Sequence, residues 1–235
     1  MLFYLWERSK LNDRLKGTLR ILTPPILWDL VSRFVWRFRG RQRVKPRQRS
    51  AEWYDTYYSE FQGTLRDYVG SEYYFLYAVV ADRLLRTGIQ SALEIGCGKG
   101  RLAALLRDKG FRNYVGFDFS KEQIIVAKEM CPEFEFFVAD ALETDLYTTR
   151  QYDSVICTEF LEHVEDDIEV LKKIRSGARF YGSVPNFSFE SHIRHFKAKA
   201  DVEARYGFLF KEFRVDPFLL KRPKATIYVF EGIRL

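Results

Sequence analysis

Ser91-Ala92-Leu93-Glu94-Ile95-Gly96-Cys97-Gly98-Lys99-Gly100-Arg101-Leu102-Ala103-Ala104-Leu105-Leu106 is the stretch whose reading decides the fold. Its opening residues are mostly apolar and compatible with a buried strand. Gly96, Gly98 and Gly100 then arrive at alternate positions, and a helical apolar pattern follows at Leu102, Leu105 and Leu106. The pattern predicts strand, tight turn and helix, with which an open α/β sheet begins a nucleotide site. Glycine lets such a turn take backbone angles closed to other residues, and lets a ligand approach the main chain with no Cβ in the way.

The spacing separates two kinds of site. A dinucleotide fingerprint reads G-x-G-x-x-G, but Arg101 stands where its third glycine would be, and an acid, Glu94, lies two positions before the first glycine. This E-x-G-x-G-x-G run resembles motif I of the class I S-adenosylmethionine (AdoMet) methyltransferases. The resemblance implies that the loop carrying Glu94, Gly96, Cys97, Gly98 and Gly100 wraps the amino-acid end of the cofactor.

Two later strands also end in acids. Asn113 to Asp118 reads as the second strand, and Asp118 lies where doubly wound folds place the acid that accepts ribose hydroxyls. Ser120, with Gln123 three residues on, has the spacing of a capping box and a structural role. The run Phe134 to Asp140 reads as the third strand. The resemblance implies that Asp140 reaches the adenine amino group, with the ring beside Ala141 and between apolar side chains such as Phe119 and Leu142.

A fourth strand, Tyr152 to Cys157, leads into D-S-V-I-C-x-E-x-L-E-H-V-x-D, which resembles the corresponding region of small-molecule class I methyltransferases. That likeness adds Glu159 to the cofactor set. A helix from Ile168 to Ile174, a strand from Ala178 to Val184 and strand-like runs near 208–213 and 225–231 follow. The expected fold is therefore α/β: a Rossmann-like seven-stranded class I methyltransferase sheet with an antiparallel C-terminal strand, preceded by an N-terminal helical basic arm.

Methyl transfer from a sulfonium needs nucleophile, methyl and sulfur in line, and a base where the nucleophile is a hydroxyl. His163 is the candidate base, on the loop after strand four, with Glu162 or another nearby acid to orient its ring. His192, Arg194 and His195 fall where these enzymes insert a substrate-covering segment. No metal is expected. One alternative reads Glu159-x-x-Glu162-His163 with a later histidine as resembling the metal site of small-RNA 3′-terminal 2′-O-methyltransferases. Another reads the chain as a catalytically idle methyltransferase fold serving as an adaptor. The Pro-Pro and aromatic N-terminal segments resemble methyltransferases found with bacterial surface-polysaccharide machinery, which implies a sugar or other small-molecule acceptor, lipid-linked in one version.

At 235 residues and 47% hydrophobic content, the chain has room for one α/β domain and an extension. Cys97, Cys131 and Cys157 are odd in number and lack metal-ligand spacing, so free buried thiols in a reducing compartment are expected. No apolar run reaches the roughly 18 residues of a membrane span. Residues 1–50 carry 13 Lys/Arg against three acids, while residues 51–235 carry 25 against 29. The basic character thus belongs to the arm. Within it, Ile26 to Arg39 sorts apolar and basic residues onto opposite helical faces, with Trp28 and Trp36 beside them. This predicts peripheral attachment to an anionic membrane surface on the cytoplasmic side, with nucleic acid the less favoured partner. The domain reads as an aromatic helical cover over 51–90, closed by Gly88, a cofactor half over 91–186, and a substrate cover with terminal strands over 187–235.

Overall fold

The computed structural model describes residues 47–59, 67–220 and 225–235. The basic amphipathic helix of 26–39 and the membrane contact expected of it lie outside the described residues. Within them, no helix is long and apolar enough to cross a membrane.

Among the described residues two helices precede the sheet, α1 (Ala51–Ser59) and α2 (Tyr74–Arg86). Leu76, Val80, Ala81 and Leu84 recur at helical spacing, so α2 buries one stripe and leaves the other face to water. Its end lies where the sequence predicts a stop, with Gly88 at a φ of 71°.

Strand β1 (Ser91–Ile95) is buried on both faces, as a strand between two helical layers must be. Leu93 and Ile95 enter one core with Val115 and Phe117 of β2 (Asn113–Asp118) and with Val155 and Cys157 of β4 (Ser154–Thr158). Ala92 enters a second core with Tyr114, Ile156 and the apolar face of α3 (Arg101–Asp108). Helix α4 (Lys121–Met130) leads to β3 (Glu135–Val138), and the short α5 (Leu146–Thr149) leads to β4. Helix α6 (Asp167–Lys172), β5 (Arg179–Pro185) and α7 (Lys199–Tyr206) follow, then β6 (Phe210–Leu219) and β7 (Thr226–Arg234).

The seven strands lie in the order β3-β2-β1-β4-β5-β7-β6. The first five are parallel, β7 runs antiparallel to β5, and β6 pairs antiparallel with β7. This is the expected seven-stranded class I sheet, and its strand order reverses between β1 and β4. A crevice opens outside the carboxyl ends of the strands at such a switch point.

Strand β6 is longer than the expected run near 208–213. Charged residues and Pro217 break its apolar alternation, but β6 is an edge strand, where a missing N–H is tolerated. A register shift between Lys211 and Arg214, with Glu212 at a φ of 52°, bends it there. Conversely, the third strand stops at Val138, leaving Asp140 in the turn beyond it.

Candidate active site

The glycine turn leaves β1 with Gly96, Gly98 and Gly100 at φ of 70°, 53° and 74°, a conformation in which side chains are strained. Gly100 in this conformation caps α3. The Gly96 and Cys97 N–H groups both donate to the Phe117 carbonyl, at 2.9 and 3.0 Å. A Cβ on Gly96 would stand 2.4 Å from the Phe160 ring, so only glycine admits that neighbour. A Cβ on Gly98 would meet no other group closer than 3.8 Å, which leaves its backbone approachable.

Asp118 ends β2 beside this turn. One carboxylate oxygen accepts from Gly98 N–H at 3.1 Å, the other from Ser120 N–H at 2.9 Å. Burial nevertheless outweighs these bonds and raises its pKa to about 6. The Ser120 hydroxyl accepts from Gln123 N–H at 3.3 Å, giving the expected N-cap of α4, and donates to Asp55 of α1. Asp55 was not singled out by sequence, because nothing local marks a contact made 65 residues away.

Glu94 sits beneath the turn, 3% exposed, with its carboxylate accepting from the Tyr114 hydroxyl. Burial raises its pKa to about 8. Cys97 is also buried, and burial pushes its thiol well above the ordinary range. All three cysteines are free and buried, as their number and spacing predict.

On the adenine side, Asp140 is exposed and its carboxylate accepts from Leu142 N–H at 2.7 Å. Ala141 is buried, its carbonyl accepting from the Tyr147 hydroxyl at 3.0 Å. Phe119 is half-buried against Tyr54 of α1, with ring centroids 5.3 Å apart.

The loop after β4 carries the remaining groups. Glu159 has a φ of 51°, rare for a residue with a side chain and of the kind that collects at functional sites. Ser183 of β5 holds it, accepting from its N–H at 3.0 Å and donating to its carboxylate at 2.9 Å. Burial raises Glu159 to about 7. A 3-10 turn, Leu161–His163, then presents Glu162 and His163.

His163 Nδ1 lies 3.0 Å from the Ser191 carbonyl and 3.1 Å from the Tyr54 hydroxyl. A carbonyl only accepts, so Nδ1 carries the hydrogen and Nε2 the lone pair. Burial and the neighbouring His192 push the His163 pKa down to about 3, so the ring is neutral near pH 7. The expectation that Glu162 orients this ring is corrected. The Ser191 carbonyl does so, and Glu162 stands 3.9 Å from Nε2 on the other side.

Of the three residues assigned to substrate contact, His192 stands apart from Arg194 and His195. His192 is buried edge-on against His163, with centroids 4.8 Å apart and its Nδ1 3.0 Å from the Phe187 carbonyl. Arg194 is largely engaged within the protein. Its guanidinium donates to the carbonyls of Leu161, at 2.5 Å, Val164 and Glu165, and pairs with Asp167 at 3.1 Å. It therefore braces the loop that carries His163. His195 is exposed and lines a separate surface depression with Arg194, Arg205 and Phe208.

Residues 45–212, well over half the chain, match the family model described as a methyltransferase domain. The chain belongs to this family. Its fold is that of the class I AdoMet-dependent methyltransferases, and the glycine turn and Asp118 fit that cofactor. Among curated relatives, the ubiquinone biosynthesis O-methyltransferase of Aliivibrio fischeri (strain MJ11) is 30% identical over 112 residues, 44% of this chain and 47% of that protein. The same-named enzyme of Aeromonas salmonicida (strain A449) is 37% identical over 109 residues, 43% and 45% of the two chains. The chain thus spans about half the length of the curated relatives it matches. Among solved structures, the magnesium protoporphyrin IX methyltransferase of Synechocystis PCC 6803 with bound SAH superposes with a TM-score of 0.55 at 18% identity, covering 70% of this chain and 84% of that one. The N-terminal domain of EvdMO1 with SAH bound gives 0.54 at 17%, covering 71% and 86%. At such identities the structural likeness shows the fold alone.

The methyltransferase gathers buried acids around this cleft, and that makes its stability depend on pH. Unfolded Asp and Glu ionise near pH 4, whereas Glu94 and Glu159 hold protons to about 8 and about 7 and Glu162 is raised well above its ordinary range by burial. Between about pH 6.5 and 8 the folded protein therefore binds more protons than the unfolded chain, and stability falls as pH rises. The depressed imidazoles His163 and His192 act oppositely, but only below about pH 6.5, where unfolded histidine takes up a proton. The thermal midpoint of the ligand-free protein is expected to drop steadily across that upper window. A flat or rising midpoint would mean the acids ionise freely in the folded state.

Proposed function

We propose that this methyltransferase transfers a methyl group to a hydroxyl oxygen on a small molecule that offers a flat or apolar face. The observation that carries this reading is the neutral His163, whose Nδ1–H is engaged by the Ser191 carbonyl so that Nε2 offers its lone pair. AdoMet supplies an electrophilic methyl group. Nε2 takes the proton of the acceptor hydroxyl as its oxygen becomes the nucleophile, and Asp118 and the Gly98 turn orient the donor. Tyr54 and His192 pack against this histidine, and Phe119 against Tyr54, with flat faces suited to stacking.

The naming of the curated relatives as ubiquinone biosynthesis O-methyltransferases supports a phenolic acceptor. Aromatic walls stack equally well on the apolar face of a sugar, so the sugar and lipid-linked acceptors belong in the same trial. The test incubates the full chain with labelled AdoMet and phenolic, sugar, lipid and RNA acceptors in parallel. Methyl ether formation on a small-molecule hydroxyl is expected. Label appearing on RNA alone, or on nitrogen, overturns the reading. In the same assay Asp118→Ala loses hydrogen bonds to the ribose worth roughly 1.5–3 kcal/mol each. AdoMet affinity should therefore fall at least about tenfold with the fold intact, and unchanged affinity would remove Asp118 from the cofactor site.

A further inference from the structure

Helix α1 joins the ends of two strands that are not neighbours. Strands β2 and β4 flank β1, so their ends stand roughly 10 Å apart. Adjacent residues on a helix point about 100° apart, and Tyr54 and Asp55 use that divergence to reach both ends. The Asp55 carboxylate accepts from the Ser120 hydroxyl and, at 3.4 Å, from the Glu122 N–H, both just after β2. The Tyr54 hydroxyl lies 3.1 Å from His163 Nδ1, after β4, and its ring meets the imidazole edge-on with centroids 6.0 Å apart. Ser120 is 1% exposed, so its hydroxyl needs an acceptor inside the protein, and Asp55 supplies it. The Ser120 N–H donates to Asp118. One run of hydrogen bonds thus leads from the acid at the cofactor turn to α1. Nine residues are too few to hold a helix in water by themselves, so these contacts decide where α1 sits. The residues before it are tied down too. Gln48 accepts from the Glu165 N–H at 2.8 Å, and Arg49 donates to the Glu190 carbonyl at 3.4 Å while lying over the Trp53 ring.

We infer that Asp55 is a positioning residue for methyl transfer, seating Tyr54 against His163 so that the proton acceptor is fixed relative to the turn that carries Asp118. This rests on the hydroxyl-methylation reading, in which His163 takes the proton. Transfer needs the acceptor oxygen, the methyl carbon and the sulfur in line, and a displacement of about an ångström can cost 10²-fold in rate. The Ser191 carbonyl sets the tautomer of the imidazole but belongs to the segment after β5. The path Tyr54, Asp55, Ser120, Asp118 refers the same ring to the cofactor half instead. Asp55 takes no proton in this scheme and acts through Tyr54.

The test follows the imidazole nitrogen signals of His163 by NMR in the full-length, AdoMet-bound protein, beside methylation of catechol as a phenolic probe. In Asp55→Ala the His163 signals should shift or broaden as they do in Tyr54→Phe. Catechol turnover should fall about tenfold, within the range that misplacement costs, while AdoMet affinity and the catechol KM stay within threefold. Asp55→Asn, whose amide oxygen still accepts from Ser120, should recover most of the rate. The double variant Tyr54→Phe with Asp55→Ala should be no slower than Asp55→Ala alone, because both break one path. His163 signals in Asp55→Ala that superpose on the parent's, or losses that multiply in the double variant, overturn the inference. An Asp55→Ala protein that fails to bind AdoMet is replaced by Asp55→Leu, which keeps the volume and removes the acceptor. A parent that binds AdoMet but methylates neither catechol nor any hydroxyl acceptor of the parallel trial sinks the hydroxyl-methylation reading, and the His163 signals then decide the role of Asp55 alone.

Discussion

Replacing His163 with alanine is expected to lower turnover by roughly 10²–10⁴-fold, the usual contribution of a positioned proton acceptor. AdoMet affinity should change little, because the Asp118 carboxylate and the glycine turn stand on β1 and β2 while His163 stands after β4. The magnitude follows from the state of the ring. With Nδ1–H engaged by Ser191 and a pKa of about 3, the imidazole is neutral near pH 7. Its Nε2 lone pair is free to meet a proton, but a ring held so far below neutrality is a weak base, which places the loss toward the lower end of that range. Single-turnover rates with saturating AdoMet, beside calorimetric AdoMet binding, check this. A variant within threefold of the parent would reduce His163 to a packing group between Tyr54 and His192. Repeating the parent assay after chelation tests the metal-site alternative, since a ligand role would lose turnover in EDTA and a base role does not.

The second large effect is on stability and concerns Asp167. This carboxylate is fully buried at the start of α6. It accepts from Arg205 at 2.6 and 2.8 Å and from the Tyr206 hydroxyl at 2.7 Å, and pairs with Arg194 at 3.1 Å. Breaking a buried ion pair by removing one partner costs about 3–5 kcal/mol, because the other charge is left uncompensated. Arg205 is about one-third exposed and regains water, so Asp167→Ala belongs at the low end, about 3 kcal/mol. For a chain of this size that lowers the thermal midpoint by roughly 6–12 °C. Arg194 also ties the carbonyls of Leu161, Val164 and Glu165. The loss should therefore loosen the His163 loop and lower turnover even where the protein is folded. A midpoint shift under about 3 °C, little more than 1 kcal/mol, would show that the network contributes little to stability.

The two experiments probe different layers of information in the chain. The strand, glycine turn and helix of residues 91–106 were legible from sequence because their determinants are local. Apolar alternation, glycines where φ must be positive and a helical apolar repeat act over a few residues. The same holds for Asp118 at a strand end and Ser120 at a helix start, both found where periodicity placed them. Strand β6 was read short because an edge strand carries charges and a proline that blur the alternation. The loop chemistry was legible only in part. His163 could be named from its motif, but its tautomer is set by Ser191, 28 residues on, and by Tyr54, 109 residues back. Arg194 read as a substrate ligand because an isolated arginine on a covering segment shows no partners in one dimension. The tertiary structure commits its guanidinium to three carbonyls of one loop and to Asp167. The meeting of His192 with Glu162 and His163 is likewise decided by tertiary structure alone. It depends on β5 lying beside β4, so that the segment after β5 folds back over the loop after β4. Sequence by itself thus determined the strands and turns of the cofactor half, whose apolar and glycine patterns are local, while the acceptor half exists only through contacts between separate strand ends.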